Sequence, residues 1–203
     1  MTAPNADFLF DGPDGAATTV VLAHGAGAPM NAPFLNTVAR ELASGGVRIA
    51  RFEFPYMRRG GAPDREPVLR DAWKEAVEKL GGGGRLVIGG KSLGGRIASM
   101  VADEVGARGL VCLGYPFHPP GRPEKLRTTH LEVLRTPALV LQGTRDPFGT
   151  PDDVAGYRLS PSIRVVWIED GDHSWKPRAS SGRTLEQNMA EAIAAIREFL
   201  AAR

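Results

Sequence analysis

The 203-residue sequence is poor in cysteine, aromatic residues and net charge. Its one cysteine, Cys112, lies in an apolar run, which excludes an intrachain disulfide framework and indicates a buried thiol in a reducing, cytoplasmic compartment. A formal charge of +2 gives no reason to expect a nucleic-acid partner. The first residues, Asn5 among them, lack the basic and apolar blocks of a secretory signal. No run approaches the ~20 apolar residues of a membrane span, so we expect no membrane partner.

The remaining composition is typical of a globular protein, with 42% hydrophobic and 24% charged residues. We expect a single domain over residues 1–203, because this length fills one sizeable core. Short apolar runs alternate with helical patterns, from a strand near Phe8 to a last helix that Thr184 and Gln187 would cap. This alternation predicts an α/β fold: a mostly parallel sheet of about six or seven strands with helices on both faces. Residues 122–135 offer at most a short helix, so we expect no large lid domain.

The most distinctive segment is GKSLG at residues 90–94, which follows an apolar run and precedes a helical pattern. In this context Ser92 is predicted to stand on a nucleophile elbow, a strained strand-to-helix turn. Strand and helix pass close together in such a turn, so the positions two before and two after the serine must be small. Gly90 and Gly94 meet this requirement, and Gly95 adds room. Glycine-rich turns also produce the pattern by chance, so the interpretation depends on further residues.

The sequence contains parts of two phosphate-binding motifs, but neither motif is complete. The Gly-Lys-Ser ending resembles a P-loop, yet Arg85 occupies the position of the first glycine, and a strand replaces the flexible cradle. The GAG segment at residues 25–27 opens a dinucleotide fingerprint, but Met30 stands where its third glycine belongs. We therefore expect neither a cofactor nor a metal.

A nucleophilic serine needs a base, and the base needs an acid that orients it. Asp146 and His173 each follow an apolar run typical of a strand, so both are expected beyond strand ends. An Asp before a proline also suits a simple turn, and a loop histidine can be merely solvated. Their joint placement after the elbow predicts a triad with Ser92. Asp170 and Asp172 are expected to be turn or cap residues, with Asp172 the alternative acid.

The developing oxyanion needs two N–H donors. One is expected from Leu93, directly after the serine, and the other from the early strand-to-helix loop that begins with His24. In that loop we favour the N–H of Ala26, with Gly25 as the next choice. His24 is expected to support the loop, since His173 already supplies the base.

Five segments together resemble one branch of the α/β-hydrolase superfamily: HGAG (24–27), RFEFPY (51–56), GKSLGGR (90–96), GYPFHPPG (114–121) and QGTRDPFG (142–149). This branch is the dienelactone-hydrolase-like group, which includes a testis-expressed mammalian protein and a subunit of a chromatin acetyltransferase complex. The resemblance spans nearly the whole chain and implies the α/β-hydrolase fold and the triad positions. It implies much less about the substrate, because kinship of fold does not carry function and some relatives serve as non-catalytic complex members.

Two loops, residues 51–59 and 115–120, follow strands and bring aromatic and cationic side chains toward the expected site. Such residues also simply stiffen long loops, and a bracing role suits His118 in particular. The candidate substrate contacts are Gly25, Tyr56, Lys91, Tyr115, Phe117, His118 and Arg145. An electropositive mouth that favours an anionic substrate would be formed by Arg58, Arg59, Lys91 and Arg145.

These features predict a cofactor-independent serine hydrolase that cleaves an ester, thioester or related acyl bond of a small molecule. Ser92 would attack, His173 would move the proton and Asp146 would hold its tautomer. One alternative is a binding or scaffold protein, although a scaffold gains nothing from an intact triad. Another is a small serine peptidase, which usually needs a more enclosed site.

Overall fold

The computed structural model describes residues 7–203; residues 1–6, and with them Asn5, lie outside the described part. The strands are β1 Phe8–Asp11, β2 Thr19–Ala23, β3 Arg48–Phe52, β4 Leu86–Lys91, β5 Gly109–Leu113, β6 Ala138–Gly143 and β7 Ile163–Ile168. The helices are α1 Pro33–Ser44, α2 Pro55–Arg59, α3 Glu66–Lys79, α4 Leu93–Val101, α5 Pro151–Ala155 and α6 Leu185–Ala201. The predicted alternation of strands and helices is confirmed.

The strands form one seven-stranded sheet in the order β1-β3-β2-β4-β5-β6-β7. Only β1 is antiparallel to its neighbour; the other adjacent strands are parallel. Parallel strands end at the same edge of a sheet, so the loops after β2, β4, β5, β6 and β7 meet there. The registers place Ala23 of β2 beside Gly90 of β4, and Lys91 of β4 beside Leu113 of β5.

Helices cover both faces of this sheet, as predicted. Because successive strand residues point to opposite faces, Val87 packs into the core under α1 and α6, while Leu86 and Ile88 pack under α3 and α4. The helix α6 begins with the predicted capping box, in which the side chains of Thr184 and Gln187 each accept a hydrogen bond from the other's backbone N–H.

Within residues 7–203, no lid domain covers the edge where the parallel strands end. The connection from β5 to β6 contains one short 3₁₀ turn, Thr129–Glu132, in agreement with the expectation for residues 122–135. In the same described part of the chain, no helix combines the length and the apolar character needed to cross a membrane.

Candidate active site

Ser92 lies between β4 and α4, with φ of 49° and ψ of −111°. A residue with a side chain adopts this region of the Ramachandran map only under strain that the surroundings maintain. The turn is anchored on both sides: the N–H of Ser92 donates to Leu113 at 3.1 Å, and its carbonyl accepts from the N–H of Arg96 at 2.9 Å. The serine is thereby raised above the end of the central strand.

Three glycines permit this turn because no side chain would fit at their positions. A Cβ added to Gly90 would lie 2.2 Å from the carbonyl oxygen of Ala23, and one added to Gly94 would lie 2.4 Å from the same atom. A Cβ on Gly95 would come within 2.6 Å of the Gly90 carbonyl oxygen, so Gly95 is required by the close approach of α4 to β4. The buried Cys112 on β5 lies beneath this turn, with Sγ 3.6 Å from the Gly95 carbonyl oxygen.

The N–H groups of Leu93 and Ala26 make no hydrogen bond to another residue in the described part of the chain. Leu93 is the first residue of α4, where unsatisfied backbone N–H groups favour negative charge. Ala26 lies in the loop after β2, beside Gly25, and a Cβ added to Gly25 would stand 3.7 Å from Ser92 Cβ. Both N–H groups are therefore available for an oxyanion.

His24 holds this loop in place and is buried, as its expected supporting role requires. Its Nδ1 lies 2.7 Å from the carbonyl oxygen of Gly25, and its Nε2 accepts a hydrogen bond from the N–H of Phe54 at 3.1 Å. These partners fix a neutral imidazole protonated at Nδ1. Burial, the largest cause, lowers the pKa of His24 and favours the same neutral form.

Four predicted substrate contacts are buried, so the expectation that their side chains line the mouth is wrong. Tyr56, Tyr115 and Phe117 are each 0% exposed, and His118 is 4% exposed. The hydroxyl of Tyr56 donates to the Ala26 carbonyl at 3.1 Å, which places this residue behind the loop after β2. Burial of large rings outweighs their use at the surface, because each removes extensive apolar area from water.

The remaining buried contacts brace the loop after β5. The hydroxyl of Tyr115 donates to the carbonyl of Arg127 at 3.0 Å. One ring nitrogen of His118 lies 2.9 Å from the Pro119 carbonyl oxygen, and the other lies 3.5 Å from a carboxylate oxygen of Asp153. These contacts agree with the bracing role that the sequence favoured for His118 over a substrate contact.

Asp146 and His173 meet at the carboxyl edge of the sheet: His173 Nδ1 lies 2.7 Å from Asp146 Oδ2. The Asp146 carboxylate is 0% exposed and also accepts from the N–H of Phe148 at 2.9 Å. This contact leaves His173 Nε2 for proton transfer. The Ser92 hydroxyl has no hydrogen-bond partner among residues 7–203. In substrate-free enzymes, the hydrogen bond between a nucleophile and its base often forms or tightens only when substrate binds.

Two further residues, neither of them predicted from the sequence as a site residue, contact Asp146 and His173. Gln142 is fully buried; its amide nitrogen donates to Asp146 Oδ2 at 2.9 Å, and its oxygen accepts from the N–H of Tyr115 at 2.7 Å. Phe148 lies against His173, with ring centroids 4.4 Å apart. A polar residue at the end of an apolar strand was the available signal for Gln142; nothing distinguished Phe148 from any loop aromatic.

The other aspartates near His173 in the sequence, Asp170 and Asp172, accept hydrogen bonds from groups other than its imidazole. Asp172 Oδ1 accepts from the N–H groups of Ser174 at 2.8 Å and Lys176 at 3.0 Å, so its carboxylate closes a turn. Asp170, in the positive-φ region, accepts from the N–H of Arg178 at 2.6 Å and also pairs with its guanidinium. That pairing, the largest cause, lowers the pKa of Asp170.

The arginines expected at the mouth on α2 are each bound by a carboxylate. Arg58 Nη1 lies 3.0 Å from Asp7 Oδ1, and Arg59 Nη2 lies 2.7 Å from Asp64 Oδ1. Asp7 immediately precedes β1, the strand at the edge of the sheet, so Arg58 is directed away from the central strand β4. The expected convergence of these cations on Ser92 is not present.

The two cations nearest the site are also engaged. Arg145 Nε lies 3.2 Å from Asp170 Oδ1 and 3.1 Å from the Asp170 carbonyl oxygen, which ties the acid loop to the histidine loop. Lys91 Nζ donates to the main-chain carbonyl of His173. Both side chains thus link protein segments, in place of the open substrate contacts that were predicted.

A serine–histidine contact joins α4 to the 3₁₀ turn Thr129–Glu132. Ser99 Oγ is 2.8 Å from His130 Nε2, but Ser99 is 3% exposed and its hydroxyl donates to the Arg96 carbonyl at 2.6 Å. Burial, with the nearby charge of Arg96, lowers the pKa of His130 to about 4. No carboxylate hydrogen-bonds to His130 among the described residues, so this pair is a buried structural contact.

The sequence matches the model of the alpha/beta hydrolase domain over residues 16–201. The chain therefore belongs to the alpha/beta hydrolase family. This agrees with the sheet order, the elbow at the central strand and the absence of a lid domain from residues 7–203.

Solved structures share this fold along almost the whole chain. A serine hydrolase without a lid from Xanthomonas campestris is 20% identical, with a TM-score of 0.68, covering 95% of this chain and 88% of that one. Est1E from Butyrivibrio proteoclasticus is 14% identical, with a TM-score of 0.71 and coverage of 96% and 94%. A dienelactone hydrolase from Anabaena variabilis is 20% identical, with a TM-score of 0.66 and coverage of 92% and 88%. At these identities the likeness is one of fold.

Proposed function

We propose that this protein is a serine hydrolase of the dienelactone-hydrolase-like group, which cleaves an ester, thioester or related acyl bond of a small molecule. The observation that carries the proposal is the 2.7 Å contact of Asp146 with His173 at the sheet edge where Ser92 stands on its strained turn. A structural loop has no need of a buried carboxylate aimed at a partly exposed imidazole. The buried, unpaired Cys112 suits a reducing compartment, so we place the enzyme in the cytoplasm.

In the proposed reaction, Ser92 Oγ attacks the substrate carbonyl carbon while His173 Nε2 takes the hydroxyl proton. The negative charge on the carbonyl oxygen is held by the N–H groups of Leu93 and Ala26. Collapse of the tetrahedral intermediate breaks the acyl bond, and the imidazolium returns its proton to the leaving group. Water, deprotonated by His173, then attacks the acyl carbon, and the bond to Ser92 Oγ breaks as the imidazolium returns its proton to that oxygen.

Asp146 keeps the proton of the neutral His173 on Nδ1, so that Nε2 is free to act as the base. It also stabilises the imidazolium that forms during attack. The two hydrogen bonds to Asp146 from Gln142 and Phe148 keep its carboxylate in the required orientation.

The surroundings of the site favour a small and uncharged acyl substrate. With no lid domain in residues 7–203, an extended acyl chain or peptide would lack an enclosing wall. The guanidinium groups of Arg58, Arg59 and Arg145 are each directed to a carboxylate of the protein. They therefore offer little attraction to an anionic substrate.

Labelling with a fluorophosphonate probe tests the proposal directly, followed by turnover of a panel of p-nitrophenyl esters. The probe should react with the wild-type protein, and Ser92→Ala should abolish both labelling and turnover while the melting temperature stays unchanged. The matched control is Ser174→Ala, which removes an exposed hydroxyl beside His173 and should label normally. Undiminished labelling of Ser92→Ala would show that Ser92 is not the nucleophile. A wild-type protein that neither labels nor turns over any ester would favour the binding or scaffold alternative.

A further inference from the structure

The residue before the nucleophile, Lys91, is largely withdrawn from solvent at the centre of the catalytic edge. As the last residue of β4, it extends its side chain toward the loop after β7, where Nζ donates a hydrogen bond to the main-chain carbonyl of His173. The same ammonium lies 5.4 Å from the ring centroid of Phe34, near the start of α1. Phe34 in turn packs edge-on against the buried Trp175, with ring centroids 4.8 Å apart.

The room for this contact is provided by Gly114, directly after β5. Gly114 has φ of 69°, and a Cβ added there would come within 2.9 Å of both Lys91 Nζ and the His173 carbonyl oxygen. The same Cβ would lie 3.2 Å from His173 Nδ1, the atom bonded to Asp146. A side chain at this position would separate the ammonium from the histidine loop.

From this geometry we infer that Lys91 is a positioning residue, whose ammonium binds the backbone of His173 and holds the imidazole in register with the elbow that carries Ser92. The inference rests on the proposed function, because it assigns a task to Lys91 only if His173 is the base. It also explains why the lysine is turned inward, away from solvent.

A charge-assisted hydrogen bond suits this task better than a neutral one, because it is shorter and about twice as strong. The titratable groups around the ammonium are Asp146, Asp172 and His173, and the face of Phe34 closes the remaining side. Burial, the largest cause, lowers the pKa of Lys91 to about 8, against the opposing attraction of Asp146 and Asp172. The protonated, strongly binding form is therefore present at neutral pH and is lost as the pH rises through about 8.

A lysine that only filled space would affect stability, whereas a positioning lysine affects the chemical step. Misplacement of a catalytic group by about 1 Å costs up to about 100-fold in rate. We therefore expect Lys91→Met to lower kcat about 10- to 100-fold, with KM within about threefold of the wild-type value. In the wild type, kcat should decline above about pH 8 as the ammonium loses its proton, and this decline should be absent from Lys91→Met.

The experiment measures kcat and KM from pH 6 to 10 for the wild type and Lys91→Met on the best p-nitrophenyl ester. The matched control is Lys125→Met, which removes an exposed lysine and should retain the wild-type profile. If Lys91→Met does not fold, Lys91→Gln takes its place; it keeps a neutral donor and should retain more kcat while losing the alkaline decline.

The outcomes separate this inference from the proposed function. A wild-type protein without probe labelling or turnover overturns the proposed function and this inference with it. A wild-type enzyme whose kcat and pH profile are unchanged by Lys91→Met overturns the inference alone. A change confined to KM would indicate that Lys91 contacts the substrate, as the sequence predicted, and would also overturn the inference.

Discussion

The two halves of the candidate site are held in place by different kinds of interaction. The serine half, formed by Ser92, Leu93 and the elbow glycines, is fixed by backbone approaches so close that a single Cβ would not fit. The histidine half, formed by Asp146, His173 and their partners, shares one such approach, since a Cβ on Gly143 would lie 2.3 Å from the Gly171 carbonyl oxygen. It differs in that Asp146 and His173 themselves are held by side-chain hydrogen bonds from residues on several segments.

This difference determines how each half responds to change. Close packing of backbone against backbone has no adjustable partner, so one added methyl group must displace a strand or helix. A hydrogen-bond network loses one bond at a time, although a buried group left without its partner is costly. We therefore expect abrupt losses in the serine half, and graded losses where the hydrogen-bonded side chains of the histidine half are changed, except where the acid itself is changed.

The largest effect is expected when the acid, Asp146, is changed. Asp146→Asn should lower kcat by about four orders of magnitude, because an amide at this position favours the wrong imidazole tautomer of His173. Stopped-flow or steady-state ester turnover measures it. Asp172→Asn is the matched comparison and should retain nearly full activity, because Asp172 only closes a turn. If Asp172→Asn were the crippling change, the acid would be misassigned.

The next effect tests the rigidity of the serine half. Gly94→Ala should lower kcat by about 100-fold, because the new Cβ, 2.4 Å from the Ala23 carbonyl oxygen, must push α4 and the neighbouring Leu93 N–H out of place. The overpacking should also cost about 1–3 kcal/mol of unfolding free energy. Gly84→Ala is the control, since a Cβ there meets nothing within 4 Å. A fully active Gly94→Ala enzyme would show that this half is deformable.

A smaller effect is expected for the support of the acid. Gln142→Leu should lower kcat by about tenfold and reduce the unfolding free energy by about 1–3 kcal/mol, because Tyr115 and Asp146 lose buried hydrogen-bond partners. Turnover and thermal melting measure the two changes. Gln142→Glu keeps the volume but replaces the donor by an acceptor beside Asp146, so its activity should fall as well. Wild-type activity in the glutamate variant would indicate that Gln142 contributes shape alone.

The smallest expected effect concerns substrate charge. The ratio of kcat/KM for a neutral ester to that for its carboxylated analogue should change less than about twofold as salt screens exposed charges over roughly 10 Å at 0.1 M. The reason is that Arg58, Arg59 and Arg145 are already paired with carboxylates. A strong preference for the carboxylated ester that disappears with salt would instead support the predicted electropositive mouth.

The same contrast explains which parts of the site the sequence could predict. The serine half depends on neighbouring residues in the chain, so Gly90, Ser92 and Gly94 appear as one contiguous motif. Asp146 and His173 were found because strand ends in a parallel sheet share an edge, which makes chain order informative. The number of strands followed from the alternation of apolar runs and helical patterns.

The predictions that were wrong depended on contacts between distant segments. Tyr56, Tyr115 and Phe117 come after strands, as a mouth residue would, but Tyr56 is buried on α2 and the other two are buried in the loop after β5. The partner of Arg58 is Asp7, and nothing local in the sequence connects the two. Gln142 could be located on a strand from the sequence, but not as the residue that holds the acid, because its partners are defined by the packed loops.

The position of Cys112 has a practical consequence for following this protein in solution. The thiol is fully buried in β5 below the elbow, and burial raises its pKa well above the ordinary value. A thiol-reactive dye can therefore reach it only when the centre of the sheet opens, and with one cysteine in the chain each modified molecule reports one such event. The rate of dye incorporation therefore measures how often the structure opens beneath Ser92, and this measurement does not require turnover.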